Sequence, residues 1–371
     1  MRTTIAIIYK AIVKPLLFQF DPETVHDNFL RIGDFLGKSK LTKLKTRLLF
    51  CVSNSLLTQR IDGITFNNPV GLSAGFDKDA ALVNILPDIG FGFAQIGSVT
   101  ANAYEGNPKP RLIRLKKSRG ILVNYGLKNI GVDAIVAKFN SKYPSPQIPI
   151  SISVAKTNCK DVVTPKQGID DYVTSLEKLT QNNVGSLYTI NISCPNTFGG
   201  EPFTTPQILE QLLSSIDTLE IPKPVWIKMP ISILNEEFLS LCEVAKQHRI
   251  SGLVIGNLQK DRTDQSIIDV INPDQKGGIS GKPTWNRSNE LISLTYTTYH
   301  DRFVIIGCGG IFSAQDAYVK IKNGASLVQL ITGMIFMGPQ LIGQINQGLL
   351  TLIKKDGYTN ISQAIGANHK N

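Results

Sequence analysis

The chain has 371 residues, 42% of them apolar and 18% charged, and a net charge of +10. This length and composition exclude an intrinsically disordered chain and fit one large α/β domain with an appendage. Its five cysteines are odd in number and contain no CxxC pair. Their spacing argues against a disulfide framework and a zinc site, and favours a reducing compartment.

The first sixty residues are basic and predict helices. They hold ten Lys and Arg against four Asp and Glu. Asp21-Pro22-Glu23 has the N-cap, the first-turn proline and the acidic residue of a helix start, and Gly37 marks the end. A further helix places Leu41, Leu44 and Leu48 on one face, with basic residues between them. Two interpretations of this helix stay open: a solvated helix packed on the main domain, or an element on a membrane surface.

Neither a membrane span nor a nucleic-acid partner is predicted. The most apolar run, residues 5–20, is interrupted by Lys10, Lys14 and Pro15, and no signal-peptide cleavage site follows it. No helix-turn-helix, zinc-finger or RNP-like pattern accompanies the basic charge. We therefore expect no nucleic-acid binding.

From residue 69 onward, eight short apolar runs recur, each bounded by turn residues. They span residues 69–74, 93–99, 149–154, 187–192, 224–228, 252–255, 303–307 and 327–331. Most are continuously apolar, as buried parallel strands are, and most gaps between them can hold a helix. The pattern predicts a (β/α)8 TIM barrel, with a doubly wound sheet as the alternative. No GxGxxG follows the first strand, which counts against a dinucleotide fold.

The residues with useful chemistry follow the ends of these strands, which in a barrel all open on one face. Glycines follow strands 7 and 8, where such barrels bind phosphate through backbone N–H groups. Lys78 follows strand 1 and Lys228 ends strand 5, and a buried lysine there needs an electron-rich partner. Together these features favour a flavin mononucleotide (FMN) barrel, in which the flavin performs the redox chemistry.

Seven stretches carry a resemblance to a known family. They are NPVGLSAGFDKDAALV, FGFAQIGSVT, GNPKPRLIRL, NISCPN, KGGISGKP, IIGCGGI and GASLVQL. Together they resemble the dihydroorotate dehydrogenases, and the resemblance extends over residues 9–339. The segment YKAIVKPLLFQFDPETVH resembles the N-terminal helical extension of the quinone-using, membrane-associated class. This moves the interpretation of the basic helix toward a membrane surface.

The resemblance implies oxidation of dihydroorotate to orotate in pyrimidine biosynthesis, with FMN as cofactor and quinone as electron acceptor. It implies a helical extension (1–60) that contacts the membrane and admits quinone, an FMN-binding barrel (61–355) and a polar tail (356–371). It also implies a peripheral protein on the cytoplasmic face of a membrane. Two alternatives stay open: an FMN oxidoreductase for another dihydropyrimidine, and a non-catalytic barrel that binds a flavin or a pyrimidine.

The resemblance also assigns site residues, position by position. Cys194 falls on the catalytic base, with Lys78 beside it, and no metal ligand is implied. The residues at flavin positions are Ala74, Gly75, Lys78, Ser98, Ser153, Asn191, Lys228, Gly256, Gly281, Gly309, Gly310, Thr332 and Gly333. The residues at substrate positions are Lys78, Asn124, Gly126, Leu127, Asn191, Asn196 and Asn257. Arg114 falls beside the quinone head, and we assign His26 on the first long helix to the same site.

Four departures from the family pattern are visible. The quinone class uses serine as base, whereas Cys194 is typical of the soluble class. Val123 stands where the family has a substrate-binding asparagine, with Asn124 one place late. The remaining departures are Gly256 and Leu258 around Asn257, Ser153 in place of an asparagine, and Ile331 in place of a tyrosine. Polar contacts to the substrate are therefore expected to be fewer than in the family.

Cys194 has two interpretations. Most free cysteines are small buried hydrophobes. Between two asparagines after the fourth strand, with a glycine-rich stretch behind it, Cys194 is instead predicted to be the general base. A free thiol has a pKa of about 8.5, so we expect a useful thiolate fraction near neutral pH. Residues 197–205 would form a lid over the substrate.

Overall fold

Eight parallel strands form a closed barrel in the computed structural model of the chain, which describes residues 1–198 and 200–370. The strands in those residues are β1 (Gln59–Ile61), β2 (Ile64–Phe66), β3 (Val70–Leu72), β4 (Phe93–Val99), β5 (Leu112–Leu115), β6 (Gly120–Val123), β7 (Ile150–Val154), β8 (Leu187–Asn191), β9 (Val225–Met229), β10 (Gly252–Ile255), β11 (Gly278–Gly281), β12 (Val304–Cys308) and β13 (Leu327–Leu330). Around the barrel the order is β3, β4, β7, β8, β9, β10, β12 and β13, and β13 pairs with β3.

The structure confirms the predicted barrel, and the doubly wound alternative is wrong because the sheet closes on itself. Each of the eight predicted runs overlaps one barrel strand. Strands β3 and β10 are buried at every residue, which explains why their sequences are continuously apolar rather than alternating. Strand β7 is also buried at every residue, although its sequence alternates Ile and Ser. The first strand is shorter than predicted, because Ser73 and Ala74 already belong to the loop that follows it.

Helices surround the barrel and build the N-terminal extension. They are α1 (Arg2–Ile8), α2 (Lys14–Leu17), α3 (Pro22–Gly37), α4 (Lys40–Phe50), α5 (Leu86–Ile89), α6 (Val132–Lys142), α7 (Pro165–Gln181), α8 (Pro206–Asp217), α9 (Asn235–Lys246), α10 (Trp285–Tyr299), α11 (Ala314–Lys322), α12 (Thr332–Met337) and α13 (Leu341–Lys355). A π-helical turn joins α1 to α2. Helix α3 begins as predicted, because the side chain of Asp21 accepts a hydrogen bond from the N–H of Thr24 (2.8 Å).

Two small antiparallel sheets lie outside the barrel. The hairpin of β1 and β2 covers the amino ends of the barrel strands, where Phe66 packs against Phe93 and Trp226. Asp62 at its tip accepts a hydrogen bond from Nε1 of Trp226 (3.0 Å). Strands β5, β6 and β11 form the second sheet, and their residues contribute to the cavity described below. The hairpin therefore leaves the carboxyl ends of the strands as the accessible face.

A buried ion cluster fixes the extension to the barrel. Glu23 of α3 is 3% exposed, and its carboxylate lies 3.3 Å from Arg111 and 3.8 Å from both Lys109 and Lys128. Lys109 and Arg111 precede β5, and Lys128 follows β6. Because three cations surround one desolvated carboxylate, removing that carboxylate leaves the cations uncompensated. Helix α3 is therefore fixed beside the carboxyl face of the barrel.

The extension exposes most of the large apolar side chains on the surface. Of nineteen exposed large apolar residues in the described part of the chain, thirteen lie within residues 1–49. Phe35 of α3 and Leu48 of α4 are 67% and 64% exposed. A concentration of exposed apolar side chains of this kind marks an interaction surface. Among the residues that the structure describes, no helix combines the length and hydropathy that crossing a membrane requires.

Candidate active site

A cavity of about 170 Å³, here called the central cavity, opens at the carboxyl ends of the barrel strands. Thirteen of the residues predicted for the site line it: His26, Ala74, Gly75, Lys78, Ser98, Gly126, Leu127, Asn191, Cys194, Asn196, Lys228, Asn257 and Thr332. These residues come from positions 26 to 332 of the chain. Barrel closure therefore brings together loops that are far apart in sequence.

A second space of about 90 Å³, here called the glycine recess, adjoins the central cavity. The predicted residues that line it are Ala74, Lys228, Gly256, Asn257, Gly281, Gly309, Gly310, Thr332 and Gly333. Gly309 and Gly310 have φ angles of +103° and +71°, which only glycine adopts readily. Their N–H groups have no protein acceptor among the described residues. Successive free N–H groups in such a turn form a concave anion-binding surface.

Two lysines are buried at the junction of these spaces. Lys78 and Lys228 are 9% and 6% exposed, and neither forms an ion pair within the described part of the chain. Nζ of Lys78 lies 3.7 Å from the ring centroid of Tyr125. Burial lowers the pKa of Lys78 to about 8 and also lowers the pKa of Lys228. Desolvated ammonium groups without counterions favour an anionic or electron-rich ligand.

Three asparagines line the central cavity, and two of them present free acceptors to it. The Nδ2 group of Asn196 donates to the carbonyl of Val123 (2.9 Å), and that of Asn257 donates to the carbonyl of Ser193 (2.6 Å). Asn191 donates to Oγ of Ser98 (2.9 Å). Within the described residues, the Oδ1 atoms of Asn196 and Asn257 accept no hydrogen bond from the protein. The geometry therefore suits a ligand that offers N–H donors.

Cys194 lies in the loop after β8 and lines the central cavity. Burial raises the pKa of its thiol to about 11, against the opposite effects of the N–H of Asn196 and the nearby Lys228 and Lys156. The expectation of a useful thiolate fraction at neutral pH is therefore wrong for this state of the protein. A pKa of about 8.5 belongs to a solvated thiol, whereas desolvation disfavours the thiolate and raises the pKa.

Two residues predicted for the flavin and substrate sites line neither the central cavity nor the glycine recess. Oδ1 of Asn124 accepts a hydrogen bond from Nδ2 of Asn107 (3.0 Å), and the preceding Val123 lines the central cavity instead. Neighbouring residues at the end of a strand point to opposite sides, which explains why Val123 lines the cavity and Asn124 does not. Ser153 is fully buried, with its Oγ 2.7 Å from Oγ of Ser98, so it supports a cavity residue from behind. Of the predicted lid, Gly199 lies outside the described residues.

Two residues that hold the Cys194 loop in place were not predicted from the sequence. Asn158 is 1% exposed, donates to the carbonyl of Gly126 (2.9 Å) and accepts from the N–H of Phe198 (2.6 Å). Lys156 donates to the carbonyl of Phe198 (2.9 Å). Both follow the third barrel strand, at the same end as the other motifs. A lysine and an asparagine shortly after a predicted strand were the available indication in the sequence.

A third space, here called the extension cavity, has a volume of about 320 Å³ and an apolar lining. Its polar side chains are those of Tyr9, His26, Thr46 and Arg114. It shares five residues with the central cavity: His26, Phe76, Leu112, Ile121 and Ile335. Burial lowers the pKa of His26 to about 3, so its imidazole is neutral, and its Nε2 has no partner in the described residues. The two cavities are therefore separated by a single layer of side chains.

Comparison with known proteins gives a consistent result. The family model described as dihydroorotate dehydrogenase matches residues 56–353. The chain is 37% identical to the dihydroorotate dehydrogenase (quinone) of Rippkaea orientalis, over 94% of this chain and 95% of the relative. It is 33% identical to that of Trichodesmium erythraeum, over 98% and 99%.

A solved structure is similar over the same extent. The crystal structure of DHODH from Eimeria tenella in complex with ferulenol superposes with a TM-score of 0.83 at 26% sequence identity. The match covers 95% of this chain and 96% of that chain. The similarity therefore includes the extension as well as the barrel.

Proposed function

The chain belongs to the dihydroorotate dehydrogenase family, and we propose that it oxidises dihydroorotate to orotate and passes the electrons to a quinone. One observation carries the proposal most directly. Cys194, the two unpaired lysines and the acceptors of Asn196 and Asn257 line one cavity. They supply a proton acceptor, positive charge and partners for ring N–H groups in one place.

FMN is the cofactor that we propose for this reaction. The glycine recess fits its phosphate, because the N–H groups of Gly309 and Gly310 line it and have no acceptor among the described residues. Lys228 lines both the recess and the central cavity, so its charge would contact the flavin between them. Ala74, Gly75, Ser98, Asn191, Gly281, Thr332 and Gly333 are proposed to complete the flavin site. Bound FMN supplies the acceptor for the hydride that leaves C6 of the substrate.

The protein residues are proposed to bind and deprotonate the substrate. Lys78 pairs with the carboxylate of dihydroorotate, and Asn196 and Asn257 accept hydrogen bonds from its ring N–H groups. Gly126 and Leu127 line the same end of the cavity. Cys194 removes the proton from C5. Because its thiol is neutral at neutral pH, the rate of this step increases with pH as the thiolate fraction increases.

The extension cavity is the proposed quinone site. Its lining is apolar, as the quinone ring and tail require, and His26 and Arg114 offer polar atoms to the quinone oxygens. We propose that residues 1–60 form the quinone and membrane unit, 61–355 the FMN barrel and 356–371 the tail. The exposed apolar residues of α3 and α4, with the lysines between them, would rest peripherally on the cytoplasmic face of a membrane.

Anaerobic stopped-flow spectroscopy tests this function. Purified protein should show flavin absorbance that bleaches with dihydroorotate and returns on addition of a short-chain ubiquinone. Dihydrouracil and dihydrothymine should be compared, because Val123 and Leu258 make part of the cavity apolar and favour the alternative of another dihydropyrimidine. Protein that binds flavin but bleaches with none of these compounds would contradict an enzymatic role.

Blocking the extension cavity tests reoxidation of the flavin by quinone separately from its reduction by dihydroorotate. Val25 lines this cavity, so Val25→Trp should slow reoxidation by quinone at least tenfold while bleaching by dihydroorotate is unchanged. Ile7→Trp is the matched control, since Ile7 is 63% exposed and lies outside the lining. Equal quinone turnover in the two variants would place the quinone elsewhere.

A further inference from the structure

Lys156 is a buried cation that neither the flavin nor the substrate assignment uses. It follows β7 and is 4% exposed. Its Nζ donates to the carbonyls of Phe198 (2.9 Å) and Val162 (3.1 Å). A Cβ placed on Gly168 would lie 3.4 Å from Cδ of Lys156, so the lysine stem packs closely against α7. In the described part of the chain this ammonium group has no ion pair, and burial lowers its pKa.

Phe198, which Lys156 contacts, belongs to the loop that carries Cys194. Phe198 is held at both backbone atoms: its carbonyl accepts from Lys156, and its N–H donates to Oδ1 of Asn158 (2.6 Å). The carbonyl of Asn196 accepts from Nδ2 of Asn107 (3.1 Å). Residues 196 and 198 are therefore positioned by side chains from other loops rather than by regular secondary structure.

The loop of Lys156 is itself firmly anchored. Oδ1 of Asp171, on α7, accepts hydrogen bonds from the N–H groups of Thr157 (3.0 Å) and Ala101 (3.1 Å). The hydroxyl of the neighbouring Tyr172 donates to the carbonyl of Asn191 (2.8 Å), at the end of β8. Helix α7 thus connects the support to the strand that precedes Cys194. A cation on such a support keeps its place when the substrate binds.

Few charged groups face the thiol. Burial raises the pKa of Cys194 and so does Glu201, whereas the N–H of Asn196, Lys228 and then Lys156 lower it. Lys156 in turn faces Asp171, Cys159 and the thiol itself. Lys228 also lines the glycine recess and is assigned to the flavin, whereas the described residues give Lys156 no contact with either ligand space. Lys156 is therefore the nearby cation that lines neither ligand space.

We propose that Lys156 is a positioning residue for Cys194: it fastens the loop that carries the thiol and fixes a positive charge against the backbone of that loop. The charge stabilises the thiolate that must form before the substrate proton is removed. The inference rests on the proposed role of Cys194 as base. It adds to the proposed mechanism a residue that is assigned to neither the flavin nor the substrate.

Two substitutions separate the charge from the contact. Lys156→Gln keeps an N–H donor and removes the charge, and Lys156→Met removes both. Lys223→Met is the matched control. Nζ of Lys223 also donates to two carbonyls, of Val184 (3.1 Å) and Gly185 (2.7 Å), but at the opposite end of the barrel. All variants are studied as flavin-loaded protein.

Two readouts are taken across neutral to alkaline pH: flavin bleaching by dihydroorotate, and alkylation of Cys194 by iodoacetamide, located by peptide mass spectrometry. Lys156→Gln should slow both about tenfold, the effect of about one pKa unit, and recover wild-type rates about one pH unit higher. Lys156→Met should in addition raise KM, because the loop is released. Lys223→Met should change neither readout.

The outcomes distinguish this inference from the proposed function. Alkylation of Cys194 in Lys156→Gln at or above the wild-type rate would overturn the charge role, because a merely loosened loop exposes the thiol. Loss of flavin in both Lys156 variants, with Lys223→Met intact, would also overturn it and assign Lys156 to folding. If Cys194→Ala bleaches at the wild-type rate, the proposed base fails, whatever the alkylation result.

Discussion

The two ends of the ligand space are built differently. The glycine recess presents main-chain N–H groups, and its shape depends on the backbone angles of Gly309 and Gly310. The end near Cys194 presents side chains that are held by other side chains, such as Asn158 and Lys156. The recess binds through main-chain N–H groups that the glycine backbone places, whereas the other end binds through the functional groups of side chains. Substitutions should therefore affect cofactor binding at one end and chemistry at the other.

The largest expected effect is at the side-chain end. Cys194→Ala should slow flavin bleaching by dihydroorotate by roughly 10²–10⁴-fold, the usual contribution of a positioned base. Flavin content should not change, because the recess is untouched. Cys194→Ser should keep partial activity that increases at higher pH. Stopped-flow measurements at saturating substrate give the rates. Wild-type bleaching by Cys194→Ala would show that the thiol is only a packing group.

The backbone end is tested by Gly310→Ala. An alanine at φ +71° is strained by about 1–2 kcal/mol, and relief of this strain in the flavin-free protein rotates the N–H groups away from the phosphate position. Flavin affinity should therefore fall by up to roughly 5- to 30-fold. Titration of flavin-free protein with FMN measures this loss. Gly357→Ala is the control: its φ is +79°, a Cβ there meets nothing within 4 Å, and it lies outside the recess. Equal flavin affinity in both variants would remove the recess from the cofactor site.

Lys78 connects the two ends and gives a pH dependence. Its pKa is lowered to about 8, so the ammonium is protonated below that pH and loses its proton above it. The KM for anionic dihydroorotate should therefore rise above pH 8, by up to about tenfold per pH unit. The rate at saturation should rise over the same range as Cys194 ionises. A KM that stays flat through this range contradicts the carboxylate contact.

The smallest effect concerns the apolar part of the cavity. Val123→Asn adds an amide where the side chain lines the central cavity. One new hydrogen bond contributes about 0.5–1.5 kcal/mol, so kcat/KM for dihydroorotate should increase about two- to tenfold. Val123→Leu is the size control and should give no increase. A decrease with Val123→Asn, together with better turnover of dihydrothymine, would favour the alternative substrate.

The barrel was predictable because its strands are buried on both faces, which leaves continuous apolar runs in the sequence. Strands β5, β6 and β11 were not predicted. They are short, and β11 pairs with β6 although more than 150 residues separate them. Most site residues were predictable because loops at strand ends converge in any closed barrel.

The remaining features depend on burial and on distant contacts. Which of Val123 and Asn124 faces the cavity depends on the register of β6, which the motif alone does not give. The raised pKa of Cys194 is a desolvation effect, and the sequence contains no measure of solvent access. The role of Lys156 depends on a contact with a residue 42 positions away.

The pairing of β3 with β13 has a consequence for how the molecule is made. Val70 pairs with Val328, so the first barrel strand to leave the ribosome lies beside the last. During synthesis β3 has an open edge, and the apolar faces of α3 and α4 emerge before Arg111 and Lys128, the partners of Glu23. Closure therefore follows translation of nearly the whole chain. Nascent chains that stop before β13 should be the species most in need of chaperones.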